Sequence, residues 1–118
     1  MSLRIYAYRG CDTCRKALKF LAERSIAHEV VPIRERPPTV AELRRMLVYV
    51  GGDVRRLFNT SGGDYKAMNL KEKLPGLTLD EALKLLSRHG NLVKRPFALS
   101  ENSGAVGFRV PEWDRLVG

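Results

Sequence analysis

The 118-residue sequence has no apolar run long enough to cross a bilayer as a helix. Its N-terminus also lacks the basic region, apolar segment and small-residue cleavage site of a secretory leader, so a cytoplasmic protein without membrane partners is expected. Cysteine is scarce: Cys11 and Cys14 are the only two. Thiols so close in sequence cannot staple a secreted fold, which excludes a disulfide scaffold and leaves redox or metal chemistry in a reducing compartment. The two histidines, His28 and His89, lack finger-like spacing from that pair, so neither a zinc centre nor another cofactor is expected. Acidic residues are few, 13 against 21 basic ones, for a formal charge of +8. The bases are scattered, among them Arg4, Arg34, Arg44, Arg55, Arg88 and Arg115, and no aromatic-interleaved stripe accompanies them. Nucleic acid is therefore not the expected partner, and an acidic protein surface or a small oxyanion suits the charge as well. Internal repeats and low-complexity segments are absent too.

What is present is the composition of an ordinary globular chain, 44% hydrophobic and 29% charged, of a length that predicts one domain over residues 1–118. Leu3 to Tyr8 alternates as a strand does, and Cys11-Asp12-Thr13-Cys14 follows. From about Asp12 to Arg24, Cys14, Ala17, Leu18 and Leu21 repeat at i, i+3, i+4 and i+7, one face of a helix. The two sulfurs thus fall where a strand passes into a helix. Free N–H groups and the positive end of the helix dipole favour a thiolate there. The pair is also asymmetric: Cys14 starts the buried stripe, while Cys11 precedes the helix and can face a substrate. Arg15, four residues after Cys11, can lean back toward it and lower its pKa.

Ile26 to Ile33 reads as a second strand with His28 as a strand residue, completing a βαβ unit with a parallel pair. Pro37-Pro38 breaks it. Thr39-x-x-Glu42 and Thr78-x-x-Glu81 are capping-box spacings, predicting helices that end at Gly51-Gly52 and Gly90. Between them, Val54 to Phe58 suggests a helical turn or two, Asn59 to Gly63 a loop, and Tyr65 to Leu70 another short helix. Phe97-Ala98-Leu99, a turn over Glu101 to Gly104, and Ala105 to Val110 read as a β-hairpin. A last helical turn packs Trp113 and Leu116 on the sheet.

A strand ending in Cys-x-x-Cys-Arg-Lys-Ala, then Pro37-Pro38, Leu57-Phe58-Asn59-Thr60-Ser61-Gly62, Lys94-Arg95-Pro96 and Val106-Gly107-Phe108 together resemble the ArsC/Spx family along essentially the whole chain. The resemblance implies an α/β, thioredoxin-like fold: a mixed sheet of about four strands flanked by helices, with a helical insertion at about 37–90 between the βαβ unit and the C-terminal hairpin. It makes Cys11 the nucleophile and Cys14 the resolving thiol. Arg95 and Arg109 match anion-binding arginines, the third falls on Asn59, and Pro96 is the proline, typically cis, that lies against the cysteine loop. Arg15 would add electrostatic support. An uncharged amide at 59 weakens the match to a multiply charged anion such as arsenate. Cys14 stands where glutaredoxin-dependent arsenate reductases usually carry serine, so an internal disulfide could resolve the reaction. The implied function is a thiol-disulfide oxidoreductase of arsenate reductase-like type, monomeric and reduced by glutaredoxin, thioredoxin or a small thiol. The alternative is an Spx-like redox-sensing regulator that docks on RNA polymerase or another protein.

Overall fold

Alternation along a strand sorts its side chains onto two faces, and in the computed structural model, which describes residues 3–118, that sorting builds the core. β1 (Arg4–Ala7) pairs with β2 (Glu29–Pro32) in parallel and with β3 (Phe97–Leu99) in antiparallel, and β4 (Gly104–Val106) pairs antiparallel with β3. The order is β2-β1-β3-β4. Tyr6 is in register with Val31 and Phe97, and Phe97 with Val106. All four join a buried cluster with Leu43, Met46, Phe58 and Leu83 on one face. Ile5, Ala98 and Ala105, one residue out of step, join Cys14, Ala17, Leu21 and Trp113 on the other. Small residues at Ala7, Ala98 and Ala105 leave room for Phe20 and Trp113, whose rings meet edge to face at 6.1 Å.

α1 (Asp12–Glu23) crosses from β1 to β2 and buries Cys14, Ala17, Phe20 and Leu21. The opposite face is covered by the segment between β2 and β3: α2 (Val40–Tyr49), a 3-10 turn at Val54–Leu57, α3 (Gly63–Ala67), α4 (Leu70–Lys73), a second 3-10 turn at Leu74–Gly76, and α5 (Leu79–Arg88). Both capping boxes are closed in each direction. The Glu42 N–H donates to Thr39 Oγ1 at 3.2 Å and the Glu81 N–H to Thr78 Oγ1 at 3.1 Å, while each glutamate accepts the threonine N–H in return. Each cap is worth about 1 kcal/mol. At the far end Gly90 passes so close to β2's exit that an added Cβ would lie 1.9 Å from the Ile33 carbonyl oxygen.

Three boundaries differ from the sequence reading. The second strand is shorter than 26–33: its ladder with β1 runs only from Glu29 to Pro32, with Ile26 packed in the α1 cluster before it and Ile33 following Val31 into the other cluster after it. The helix expected over Tyr65–Leu70 is two helices divided at Asn69, whose φ is +54°. The last strand stops at Val106 rather than Val110. Gly107 turns the chain with φ +71°, and Val110 instead begins α6 (Val110–Val117) with Pro111 in its first turn. The Trp113 indole N–H donates to the Gly107 carbonyl at 2.9 Å, fixing α6 against that turn.

Candidate active site

Cys11 is the N-cap of α1. Its backbone is extended (φ −98°, ψ 117°), and its sulfur accepts the Cys14 N–H at 3.3 Å, taking the place a serine or aspartate oxygen fills at other helix starts. The helix stripe carries Cys14 into the core, 1% exposed, whereas Cys11 is half-buried, and both are free thiols. Burial pushes the Cys11 thiol up, but the Cys14 thiol and N–H, the Arg95 guanidinium and the Thr13 N–H outweigh it, leaving Cys11 below its ordinary value. Cys14 moves the other way. Burial above all, with its hydrogen bond to Cys11 and the Cys11 charge, pushes it up to about 12 despite the Tyr8 backbone and Arg95.

Arg95 reaches this loop from the segment that enters β3. Its peptide bond to Pro96 is cis and Pro96 is buried. The guanidinium lies 5.3 Å from the centre of the Tyr8 ring, which Arg34 also approaches, at 4.7 Å. Its Nη1 is buried and has no hydrogen-bond partner. Gly10 completes the packing, for an added Cβ there would meet Tyr8 Cε2 at 2.6 Å. Beside the cysteine loop opens a cleft of about 610 Å³ whose wall includes Thr13, Arg95 and Arg109, the last being the exposed N-cap of α6.

Arg15 and Asn59 are placed otherwise. Arg15 does turn back toward the helix start, but it pairs with Asp12 and donates to the Arg9 carbonyl at 3.2 Å. The Asn59 side-chain amide packs over Gly62, where an added Cβ would be 2.6 Å from its Nδ2, and Asn59 is not part of the cleft wall. Among the described residues no three His, Cys, Asp or Glu side chains converge to hold a metal, and His28 Nδ1 is 2.8 Å from the Ile26 carbonyl. The sequence reading missed Arg55, Arg56 and Lys94, which line the cleft. Lys94 adjoins Arg95 in sequence, the one available signal. Arg55 and Arg56 gave none, because only the pairing of Phe58 with Val93 and the bond from the Lys94 N–H to the Leu57 carbonyl, 2.8 Å, bring that turn to the site.

A family model described as the ArsC family matches residues 6–116. The chain is 41% identical over 114 residues to the uncharacterised protein YusI of Bacillus subtilis, covering 97% of each. It is 32% identical over 106 residues to an arsenate reductase of Neisseria meningitidis, covering 89% of each. To the global transcriptional regulator Spx of Enterococcus faecalis it is 27% identical, over 98% of this chain and 86% of that one. Among solved structures, an ArsC family related protein from Bacteroides fragilis superposes with a TM-score of 0.92 at 40% identity, covering 98% of both chains. With the motifs in order, the mixed sheet in place and matches of this extent, the chain belongs to the ArsC family and has its thioredoxin-like fold.

Proposed function

We propose that the protein is a cytoplasmic thiol-disulfide oxidoreductase of arsenate reductase-like type, folded as one domain, in which Cys11 attacks and Cys14 resolves. The observation that carries this reading is the opposite placement of two neighbouring thiols: Cys11 is half-buried at the helix cap and lowered, Cys14 fully buried in the helix stripe and raised to about 12. The Cys11 thiolate attacks one sulfur of a disulfide R–S–S–R, forming Cys11–S–S–R and expelling RS⁻. That step removes the negative charge on Cys11, one of the causes holding Cys14 up. Cys14 then ionises more readily, its proton passing to the departing thiolate or to water. It attacks Cys11 Sγ, releases the second RS⁻ and leaves a Cys11–Cys14 disulfide, which an external thiol reductant returns to the dithiol. Arg95, with an unpartnered Nη1 beside the site, and Arg109 on the cleft wall supply positive charge.

The experiment is mass analysis after exposure of the reduced protein to bis(2-hydroxyethyl) disulfide. The native chain is expected to end two hydrogens lighter with no adduct, and Cys14→Ser to accumulate a mercaptoethanol adduct on Cys11. A native chain that keeps an adduct on Cys11 and a free Cys14 contradicts the resolving role; an unmodified Cys11 contradicts the reading as a whole. The second reading, a redox-sensing regulator docking on RNA polymerase or another protein, is supported by the extent of the match to Spx. It requires capture of a partner from lysate that differs between the dithiol and disulfide forms.

A further inference from the structure

The cleft meets the cysteine loop at Thr13, two residues from Cys11, and is larger and more cationic than a small tetrahedral anion needs. Its volume of about 610 Å³ lies within the range, roughly 300–1,000 Å³, that holds an organic ligand. Five cations line it, Arg55, Arg56, Lys94, Arg95 and Arg109, against two carboxylates, Asp53 and Glu112. Both carboxylates are engaged. Asp53 Oδ1 accepts the Arg55 N–H at 3.1 Å as a helix cap, and Glu112 lies 3.8 Å from Arg56, which also donates to the Val50 carbonyl. Among the described residues the other four cations make no ion pair.

These four come in two sets. Arg95 stands at the cysteine loop and acts on both thiols, and Arg109 adds a second charge to the cleft wall from the cap of α6. Arg55 and Lys94 form the other set, held together by the bond from the Lys94 N–H to the Leu57 carbonyl at the end of Arg55's turn. The Lys94 stem runs along the wall over Gly107, with Cε 3.3 Å from where a Cβ would be. Phe108, half-buried in the same wall, offers apolar surface to a methylene chain, backed by the buried Phe58 and Val106. An inorganic oxyanion held by the first set would use neither the second set nor this apolar surface.

We infer that the cleft binds an organic disulfide that carries carboxylates on both sides of its sulfur–sulfur bond, and that Arg55 and Lys94 are the subsite for the carboxylate farther from Cys11. The inference rests on the reading of Cys11 as attacker and Cys14 as resolver. One half of the substrate lies along Phe108 with its carboxylate at Arg55 and Lys94, the other carboxylate meets Arg95 and Arg109, and the sulfurs sit at the Thr13 edge of the cleft, next to Cys11. Reduction of R–S–S–R by the dithiol gives two RSH and the Cys11–Cys14 disulfide, so the electrons come from the protein's own thiols.

Three disulfides differing in charge test this: 3,3′-dithiodipropionate with two carboxylates, neutral bis(2-hydroxyethyl) disulfide, and cystamine with two ammonium groups. The rate of oxidation of the reduced protein is followed by acid quench and mass analysis, and each rate is divided by that of dithiothreitol with the same disulfide. At low salt the dianion is expected to be favoured over the neutral compound by about tenfold, with cystamine slowest, the size expected for two incompletely desolvated charge contacts. In Arg55→Gln/Lys94→Gln the preference should fall to within about twofold of parity. Lys84→Gln/Arg88→Gln, which removes the same charge from the exposed side of α5, should keep it. Parity in the native protein, or equal loss in both double variants, overturns the inference while leaving the redox reading intact. If even the neutral disulfide fails to oxidise the protein, that reading fails and the inference falls with it.

Discussion

Limited alkylation at pH 7 should modify Cys11 almost alone, and the margin can be worked out. Cys11 lies below its ordinary value and Cys14 is pushed up to about 12; measured against a free thiol at about 8.5, that is a separation of three units or more, so the thiolate population at Cys11 exceeds that at Cys14 by at least about 10³. The rarer thiolate is the better nucleophile. With a Brønsted coefficient of about 0.5 it regains roughly 30-fold over three units, leaving Cys11 ahead by about 30-fold before access is considered. Burial widens the gap, since Cys14 is 1% exposed. The assay is substoichiometric iodoacetamide, digestion under acid conditions, and mass counting of singly labelled peptides; absorbance at 240 nm against pH in Cys14→Ser gives the Cys11 transition directly. Comparable labelling of the two cysteines, or a Cys11 transition at or above that of a free cysteine, would refute the claim that the helix start and Arg95 outweigh burial.

Other groups make separate commitments. Tyr8→Leu removes the ring face beneath Arg95, a contact worth about 0.5–2 kcal/mol, and should move the Cys11 transition up; Tyr8→Phe keeps the face and should leave it in place, so equal shifts in both would reject the ring as Arg95's support. Glu42 accepts from the Tyr6 hydroxyl at 2.7 Å, the Thr39 N–H at 3.0 Å and Arg4 at 3.1 Å, and although burial pushes its carboxyl up, Thr39, Tyr6 and Arg4 bring it below the usual value. A carboxyl lowered by folding contributes stability above its unfolded pKa and loses it as pH falls through the folded one. Glu42→Gln should therefore cost about 1–3 kcal/mol at pH 7 in urea unfolding, with the gap to the native chain closing below about pH 4; a gap independent of pH would contradict the ionic account. Gly90→Ala must displace the Ile33 carbonyl that an added Cβ would meet at 1.9 Å, at a cost of about 1–3 kcal/mol, and an unchanged melting temperature would mean that the approach is looser than described.

Legibility in the sequence followed the range of the interaction. The asymmetry of the two thiols was readable because it is local: a helix stripe through Cys14, Ala17 and Leu21 buries one sulfur and leaves the other at the cap. The capping boxes were readable for the same reason, each being closed by residues three apart. The hairpin was found, but its end was misplaced. Val110 continues the apolar pattern past Gly107, and only the tertiary bond from the Trp113 indole to the Gly107 carbonyl shows that the chain has already turned into α6. Arg15 shows a competition that spacing cannot reveal. It reaches back as helical geometry requires, and Asp12, three residues away, takes the guanidinium.

The cleft was the least legible feature because no segment contains it. Thr13 comes from α1, Arg55 and Phe58 from the first 3-10 turn and the bridge after it, Lys94 and Arg95 from the approach to β3, and Arg109 from the cap of α6. Arg55 was one of many scattered bases, and only the resemblance singled out Arg95 and Arg109. What gathers them is apolar: Phe58 pairs with Val93 and packs at 1% exposure, while Trp113 at 0% pins the start of α6 beside Gly107. Burying those rings offsets the repulsion of bringing several like charges to one opening, a cost that a binding site can bear and a random surface has no reason to. The excess of positive charge in the cleft is thus a property of the folded core, and substitutions that loosen Phe58 or Trp113 should weaken anion selectivity before they abolish thiol reactivity, which depends on the shorter-range contacts of the helix start.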